Sequence, residues 1–457
     1  MRFDPARFKG KKAAVLGLGR SGIACARLLL SRGFPVLASD SGPGPRGLKR
    51  LLPRAKIETG GHTTRRLLRC AFAVKSPGLN PRLPVFAALK KAGIPVFSEL
   101  EVALAFSRAD EVIAVSGTNG KSTTTALTGA VFKAGRPGRR VWVCGNIGIP
   151  ISSVAEKTRP EDTLVIEASS YQLEDSQFFK PCAAALLNVT PDHLDHHGSL
   201  GAYVRAKAKL FSFQGPEEWA VLNSADPLSR RKIAPRFRGR RLFFGSRGSS
   251  AWVRNGRLGA RLPGRPAVSL RPPALLGSHN LDNAMAAALL GLCRGIPPQS
   301  IQKAFSSFKP LEHRLEEFGA FAGLRCVNDS KATNVDSTVT ALKAVEGQHG
   351  GKLFLVAGGL GKGTPYAPLA PFLKRGEKAL LTIGSDASRL EKELSGNCPI
   401  FHCVELKKAV DTAFALARRG DMLLLSPACA SFDQFRNFEH RGRSFKRLVR
   451  ARAAASQ

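Results

Sequence analysis

Short apolar runs recur along the chain, each followed by a glycine-rich or polar turn and then by a stretch of helical periodicity. Residues 12–16, 35–38 and 71–75 make a first set of such runs. Residues 112–115, 140–143, 163–167 and 183–188 make a second, and 324–328, 352–357, 379–383 and 422–425 a third. Runs this short, bounded by turn residues, predict strands buried on both faces. Between them, residues 21–31, 124–133 and 203–213 read as helices, the last with Tyr203, Lys207 and Phe211 on one face. Residues 277–283 open an alanine-rich helix, and 229–273, rich in Arg, Gly and Pro, predict short strands and turns. Alternating strands and helices give the α/β class, with parallel sheets covered by helices. The three sets of runs predict three domains, at 1–99, 100–310 and 311–457, and the length is ample for that many cores.

Composition narrows the class. No apolar run approaches twenty residues, so no membrane insertion is expected. The first twelve residues are charged and lack an apolar core, which is not the pattern of a signal peptide. Nine cysteines, an odd number with no C-x-x-C pair, predict free thiols and a cytoplasmic location. Seventy Lys and Arg against thirty-four Asp and Glu give a formal charge of +36, which favours anionic partners. The basic residues are dispersed, however, and three Trp and three Tyr offer few platforms for base stacking. Nucleic acid is therefore not an expected partner, and a general basic bias explains the charge as well.

The candidate chemistry sits at strand ends. Gly117-Thr118-Asn119-Gly120-Lys121-Ser122-Thr123 lies between an apolar run and a helix, the layout of a phosphate cradle. In such a loop the lysine meets phosphates and the hydroxyl meets Mg²⁺. The first glycine of the longer common pattern is absent, and a surface turn with a chance Gly-Lys-Ser is the plain alternative. Glu167 ends the run 163–167, where a carboxylate would meet Mg²⁺ in a phosphate-loop fold; Ser169 and Ser170 beyond it suit a helix cap. His193 and His197 stand four apart, but without a third ligand in a recognisable pattern they do not make a zinc site. Gly17, Gly19 and Gly22 with Asp40 match a dinucleotide fingerprint, or a tight turn alone. Three loops of the last third, at 329–334, 358–362 and 426–433, follow strands and should line one crevice. Cys429 within them has no evident base partner and reads as a buried thiol.

Taken in order, Gly117 to Thr123, Glu167-Ala168-Ser169-Ser170, residues 188–195, His279-Asn280-Leu281-Asp282-Asn283 and residues 329–334 resemble the shared motifs of the Mur ligase family. These are ATP-dependent amide-forming enzymes of peptidoglycan synthesis, and the resemblance spans essentially the whole chain. Residues 426–438, with the short glycine-rich N-terminal unit and Ser76-Pro77-Gly78, look like the D-glutamate-adding branch. The resemblance implies a Rossmann-like N-terminal domain, a central P-loop ATPase-like domain and a Rossmann-like C-terminal domain. It implies that ATP phosphorylates the carboxylate of UDP-N-acetylmuramoyl-L-alanine and that the amine of D-glutamate attacks the acyl phosphate.

By position, it implies that Lys121 holds phosphates, that Ser122 and Glu167 hold one Mg²⁺, and that His193 with a carbamylated Lys207 serves a second. Gly19, Arg20, Ser21, Asp40, Ser41, Ser76, Pro77 and Gly78 would hold the UDP end, with Asn146 and Ser169 on the same substrate. Asn280, Asn283, Arg314 and Asp329 would join Gly117, Thr118, Asn119, Gly120 and Thr123 around ATP. Lys331, Thr333, Lys362, Ser431 and Phe438 would receive D-glutamate. A monomer is expected. Lys75 stands where the family pattern leads us to expect a small residue, and Phe432 where leucine is frequent. The competing expectations are a sister ligase adding L-alanine to UDP-N-acetylmuramate and a basic nucleic-acid-binding NTPase.

Overall fold

The computed structural model describes residues 3–346, 348, 350–374 and 378–455. Its first sheet contains β1 (Ala13–Leu16), β2 (Val36–Ser39), β3 (Lys56–Glu58), β4 (Phe72–Lys75) and β5 (Val96–Ser98). They run parallel in the order β3-β2-β1-β4-β5. The second sheet contains β6 (Glu111–Ser116), β7 (Val141–Gly145), β8 (Thr163–Glu167), β9 (Ala183–Leu186), β10 (Trp219–Asn223), β11 (Arg240–Phe244), β12 (Ala251–Arg254), β13 (Arg257–Ala260) and β14 (Val268–Leu270). Its order is β14-β13-β12-β11-β10-β9-β6-β8-β7, parallel from β7 to β12 and antiparallel from there to β14. The third sheet holds β15 (Glu316–Phe321), β16 (Leu324–Asn328), β17 (Leu353–Gly358), β18 (Lys378–Ile383), β19 (Ile400–Val404) and β20 (Met422–Leu425). Its order is β15-β16-β20-β17-β18-β19, antiparallel only at β15.

The unbroken apolar runs have a simple cause. Along β6 and β8, Ile113, Val115 and Val165 enter one core with Leu127 and Phe132 of the helix Lys121–Gly135. Ala114, Leu164 and Ile166 enter the opposite core with Leu173 and Tyr203. Both faces are dry, so polar alternation has no place. The register then aligns the strand ends: Val115 pairs with Glu167 and Ser116 with Leu186, so the loops after β6, β8 and β9 leave the sheet side by side.

Packing divides the chain into two compact units, Met1–Pro273 with Leu281–Phe308, and Ala274–Asn280 with Lys309–Gln457. Residues Ala274–Asn280 thus pack with the C-terminal unit, whereas the sequence reading groups them with the centre. The expected boundary at residue 99 falls where β5 runs directly into a helix. Ser98 caps a helix, Glu99–Ala105, whose first residues are buried. Glu99 Oε1 accepts from the amide of Ser152 at 3.0 Å and its hydroxyl at 2.6 Å. Glu101 Oε1 accepts from Ser176 and from the amides of Gln177 and Phe178. Burial pushes both carboxyl groups up.

Two other expectations shift. The helix expected over 203–213 spans Leu200–Ala208, capped by Ser199, and tightens into a 3-10 turn at Lys209–Phe211. The segment 229–273 contains a π-helical turn, Ser229–Ile233, and a 3-10 turn, Ala234–Arg236, before its strands. All nine cysteines are free. No described helix is long and apolar enough to cross a membrane.

Lys75, the odd residue of its loop, lies 2% exposed, and its Nζ donates to Asp175 Oδ2 at 2.8 Å. It does not protrude as a bare charge; it ties β4 to the region behind β8. Removing one partner of so buried a pair strands the other charge. Asp175→Ala is expected to destabilise this unit by about 3 kcal/mol, while Lys75→Met with Asp175→Leu recovers most of the loss. Denaturant unfolding checks this, and a single-variant change below about 1 kcal/mol would contradict it.

Candidate active site

The loop after β6 is held from three sides. Asn188, leaving β9, accepts through Oδ1 from the backbone amides of Thr118 at 3.1 Å and Asn119 at 2.8 Å. Thr118 Oγ1 accepts from the amide of Thr190 at 3.0 Å and lies 3.0 Å from the Tyr203 hydroxyl. Gly120 caps the following helix at φ 81°, and a Cβ there would stand 2.3 Å from Asn283 Oδ1. Only glycine allows both the left-handed turn and the close approach. Asn283 in turn accepts from Thr124 Oγ1 at 3.0 Å. The result is a fixed turn at a helix N-terminus, the place where an anion is stabilised.

Two lysines converge on this loop. Lys121 Nζ donates to the carbonyls of Gly117 at 2.9 Å and Thr118 at 2.6 Å. Lys207 Nζ donates to the same Gly117 carbonyl at 2.7 Å and is 1% exposed, 4.7 Å from the centre of the Tyr203 ring. Burial and then the charge of Lys121 hold the Lys207 amine well below the usual lysine range, against the pull of Asp192 and Glu167. Glu167 is 2% exposed, and its Oε1 accepts from Asn146 Nδ2 at 2.7 Å. Its Oε2 is buried with no hydrogen-bond partner. Such an atom asks for a cation, and buried Ser122 lies in the first turn of the helix Lys121–Gly135. These donors, oxygen throughout, suit Mg²⁺. His193 sits at φ 52° as the residue capping the helix Leu194–His197, with its amide bonded to Asp192 Oδ1 at 2.9 Å. Among the described residues, the groups of three or more His, Cys, Asp and Glu side chains spaced to hold a metal include His197 but not His193.

The N-terminal glycine loop is built from its own residues. A Cβ on Gly22 would lie 1.8 Å from the Gly17 carbonyl oxygen, so the last glycine permits the helix to approach the strand. Asp40 Oδ2 accepts from the Leu18 amide at 2.5 Å and its Oδ1 from the Gly42 amide at 2.8 Å. Ser76 donates to the Gly17 carbonyl at 2.7 Å. Asp40 and Ser76 therefore shape the loop. Gly19, Arg20, Ser41 and Gly78 are exposed, with Ser21 and Pro77 half-buried. The Arg20 guanidinium donates to the Gly148 carbonyl. Ser169 forms a capping box with Gln172 at the helix Ser170–Glu174. This is a local structural task that competes with its expected place on the substrate.

In the C-terminal unit the three expected loops do converge. Leu360 and Ala430 exchange backbone hydrogen bonds at 2.9 and 3.0 Å. Arg441, fully buried, donates to the carbonyls of Ser330, Cys429 and Ala430 at 2.9, 3.1 and 3.3 Å. Lys331 Nζ lies 4.6 Å from the Phe438 ring centre, Thr333 is half-buried, Ser431 buried and Lys362 exposed. Asp329 accepts from Leu315 N and Ser426 Oγ, and burial pushes it up to about 7. Asn280 donates to the Leu276 carbonyl at 2.6 Å, and Arg314 is half-buried. Cys429 is buried 3.0 Å from the Tyr366 hydroxyl and pushed up to about 11, so it is no nucleophile at neutral pH. Phe432 is 70% exposed. Sequence reasoning missed Arg441, since an arginine on a basic helix gives no sign of burial. It also missed the part of Asn188, although the strand exit that carries it was legible.

Away from these loops, a cavity of about 780 Å³ is lined by Arg240, Arg241, Arg265 and Arg294 beside Trp219. Arg240 and Arg294 there are already paired with Glu217 and Glu111.

Family comparisons agree with this arrangement. Residues 11–98 match the MurD-like N-terminal domain of Mur ligases, 115–291 the Mur ligase middle domain, and 313–429 the Mur ligase glutamate ligase domain. The UDP-N-acetylmuramoylalanine–D-glutamate ligase of Elusimicrobium minutum is 44% identical over 98% of this chain and 100% of its own length. The chain belongs to the Mur ligase family. The enzyme of the same name from Koribacter versatilis is 40% identical over 97% of this chain and 98% of its own length. Among solved structures, the UDP-N-acetylmuramate-alanine ligase of Thermotoga maritima superposes with a TM-score of 0.62 at 18% identity. It covers 97% of this chain and 100% of that one, and shares the three-domain α/β fold of Mur ligases. Membership of this ATP-dependent family brings use of ATP and Mg²⁺.

A glycine-rich turn at a helix N-terminus aims its backbone amides where an anion would be stabilised. Asn188→Ala removes the acceptor that orients two of them, at about 1 kcal/mol each, so ATP affinity should fall about 10- to 30-fold. Calorimetric titration with a non-hydrolysable ATP analogue checks this, and unchanged affinity would contradict it.

Proposed function

We propose that this Mur ligase joins D-glutamate to UDP-N-acetylmuramoyl-L-alanine, with ATP converted to ADP and phosphate. The observation that carries the reading is end-to-end similarity to ligases named for that substrate pair, 44% over 98% of the chain. The chemistry at the phosphate loop is compatible with it. A carboxylate resists attack by an amine because oxide would have to leave. Phosphorylation replaces that leaving group with phosphate, after which the amine of D-glutamate closes the amide bond. Charge spreads over the transferring phosphoryl group, and Lys121 with the helix N-terminus stabilises it.

The donors Ser122 and Glu167 would hold Mg²⁺, which when bound neutralises phosphate charge. The finer reading adds a second Mg²⁺ served by His193 and a carbamylated Lys207. Its support is electrostatic. A buried ammonium beside Lys121 is disfavoured, which raises the neutral fraction of Lys207 at any given pH. A neutral amine adds CO₂ with loss of a proton, and the resulting anion is attracted by the same Lys121. On this reading Gly19, Arg20, Ser21, Ser41, Pro77, Gly78 and Asn146 face the UDP substrate. Asn280, Asn283, Arg314 and Asp329 attend the nucleotide, and Lys331, Thr333, Lys362, Ser431 and Phe438 receive D-glutamate, whose two carboxylates call for cations and hydroxyls.

Phosphate release is expected with UDP-N-acetylmuramoyl-L-alanine, ATP and D-glutamate, and not when L-alanine replaces D-glutamate; turnover only with UDP-N-acetylmuramate and L-alanine would overturn the assignment. If Lys207 is carbamylated, activity should fall in CO₂-free buffer at mildly acidic pH. It should return on adding bicarbonate, faster as pH rises and the amine loses its proton. Lys207→Ala should be inactive and partly rescued by a small carboxylate. Full activity in Lys207→Ala would refute the modification's role.

A further inference from the structure

Behind the loop that carries His193, the helices Ser170–Glu174 and Leu194–His197 bring three side chains together. The ligand-type atoms of Glu174, His196 and His197 all lie within 4.8 Å of one another. His196 Nε2 is 2.8 Å from Glu174 Oε2, and His197 Nδ1 is 3.6 Å from Oε1 of the same carboxylate. Both imidazoles are buried, with side chains 8% and 0% exposed. None of the three has a part in the reading of nucleotide, magnesium, UDP or glutamate given above.

The arrangement around His197 is what points to a ligand. Its Nε2 lies 3.0 Å from the Ser170 hydroxyl, while its Nδ1 is buried and makes no hydrogen bond. If the hydroxyl accepts the Nε2 proton, Nδ1 is left with a lone pair directed at the carboxylate, the tautomer a metal requires. A buried nitrogen without a partner costs about 1–3 kcal/mol, so the fold has reason to supply one. Two ligand atoms on one tetrahedral ion, each about 2.0–2.1 Å from it, stand about 3.4 Å apart. The 3.6 Å between His197 Nδ1 and Glu174 Oε1 is close to that spacing. The Tyr171 ring, 4.3 Å from His196 and 5.7 Å from His197, walls the site.

We propose that Glu174, His196 and His197 form a second kind of metal site, for a divalent transition ion of the zinc class. Two imidazole nitrogens and one carboxylate suit Zn²⁺, whereas Mg²⁺ prefers oxygen ligands in an octahedral shell. The ion ties the helix after β8 to the four-residue helix that His193 caps. A helix that short does not persist on its own, so a cross-link at its C-terminal end steadies His193 at the other.

The test uses the full chain with excess Mg²⁺ present. Zn²⁺ is titrated against a chromophoric chelator, and Co²⁺ is added separately for its visible absorption. A single equivalent of Zn²⁺ and tetrahedral-type Co²⁺ bands are expected in the unaltered protein. Both should be lost in His196→Gln and in Glu174→Gln and kept in His193→Asn. His196→Cys should retain the ion and add a sulfur-to-cobalt charge-transfer band, a signature that a merely structural histidine would not give. Circular dichroism shows whether each variant is folded, and the His196→Cys spectrum decides the matter if His196→Gln is not. The proposal is overturned if the unaltered protein holds no stoichiometric Zn²⁺. It is equally overturned if binding survives both substitutions, or if His193→Asn abolishes it while His196→Gln does not. None of these outcomes depends on which amino acid the ligase adds.

Discussion

Two lysine side chains donate to one backbone carbonyl, that of Gly117, and much of the central sheet serves to make that possible. Two ammonium groups so close repel each other, and one of them is sealed from water. Burial and that repulsion hold the Lys207 amine well below the usual lysine range, against the pull of Asp192 and Glu167. The strand β6 brings Gly117 to the sheet's end, β9 brings Asn188 beside it, and β8 brings Glu167. The helix Leu200–Ala208 brings Lys207 and Tyr203 onto it from behind. Moving any one of these would leave a buried charge or a buried amide unanswered, which is expensive in a dry interior.

The same logic joins the first sheet to the second. Glu99 and Glu101 spend their carboxylates on backbone and hydroxyl donors of the second sheet's loops, and Lys75 spends its charge on Asp175. These polar groups fix orientation in a way that apolar contact does not, because their hydrogen-bond geometry is narrow. The glycine loop at Gly17 therefore sits in a fixed relation to the phosphate loop within one compact unit. That is a useful property where a long substrate must offer its carboxylate at one point. The C-terminal unit uses a comparable device in Arg441, one buried guanidinium that gathers three carbonyls from two loops.

Much of the fold was legible because parallel strands buried on both faces leave little freedom in sequence. The runs 112–115 and 163–167 could be nothing but interior strands, and the loops at their ends had to emerge together. Helix ends were less legible. Ser199 moved the start of one helix back by three residues through a cap that apolar spacing does not register. Several expected ligand-binding side chains turned out to have structural partners. Asp40 shapes the glycine loop and Ser169 closes a capping box, which spacing alone does not distinguish from ligand contact.

The sequence by itself determined the α/β class, the phosphate loop, the family and the order of its motifs, since each is written in consecutive residues. Tertiary structure decided what depends on residues far apart in the chain. It showed that Lys75 is neutralised by Asp175, that Lys207 and Lys121 meet at one carbonyl, and that Arg441 is buried. It also showed that His197 is grouped with Glu174 and His196. The reason is physical. A charge acquires its chemical character from the solvent and the charges around it, and those are set by packing and not by the neighbours in sequence.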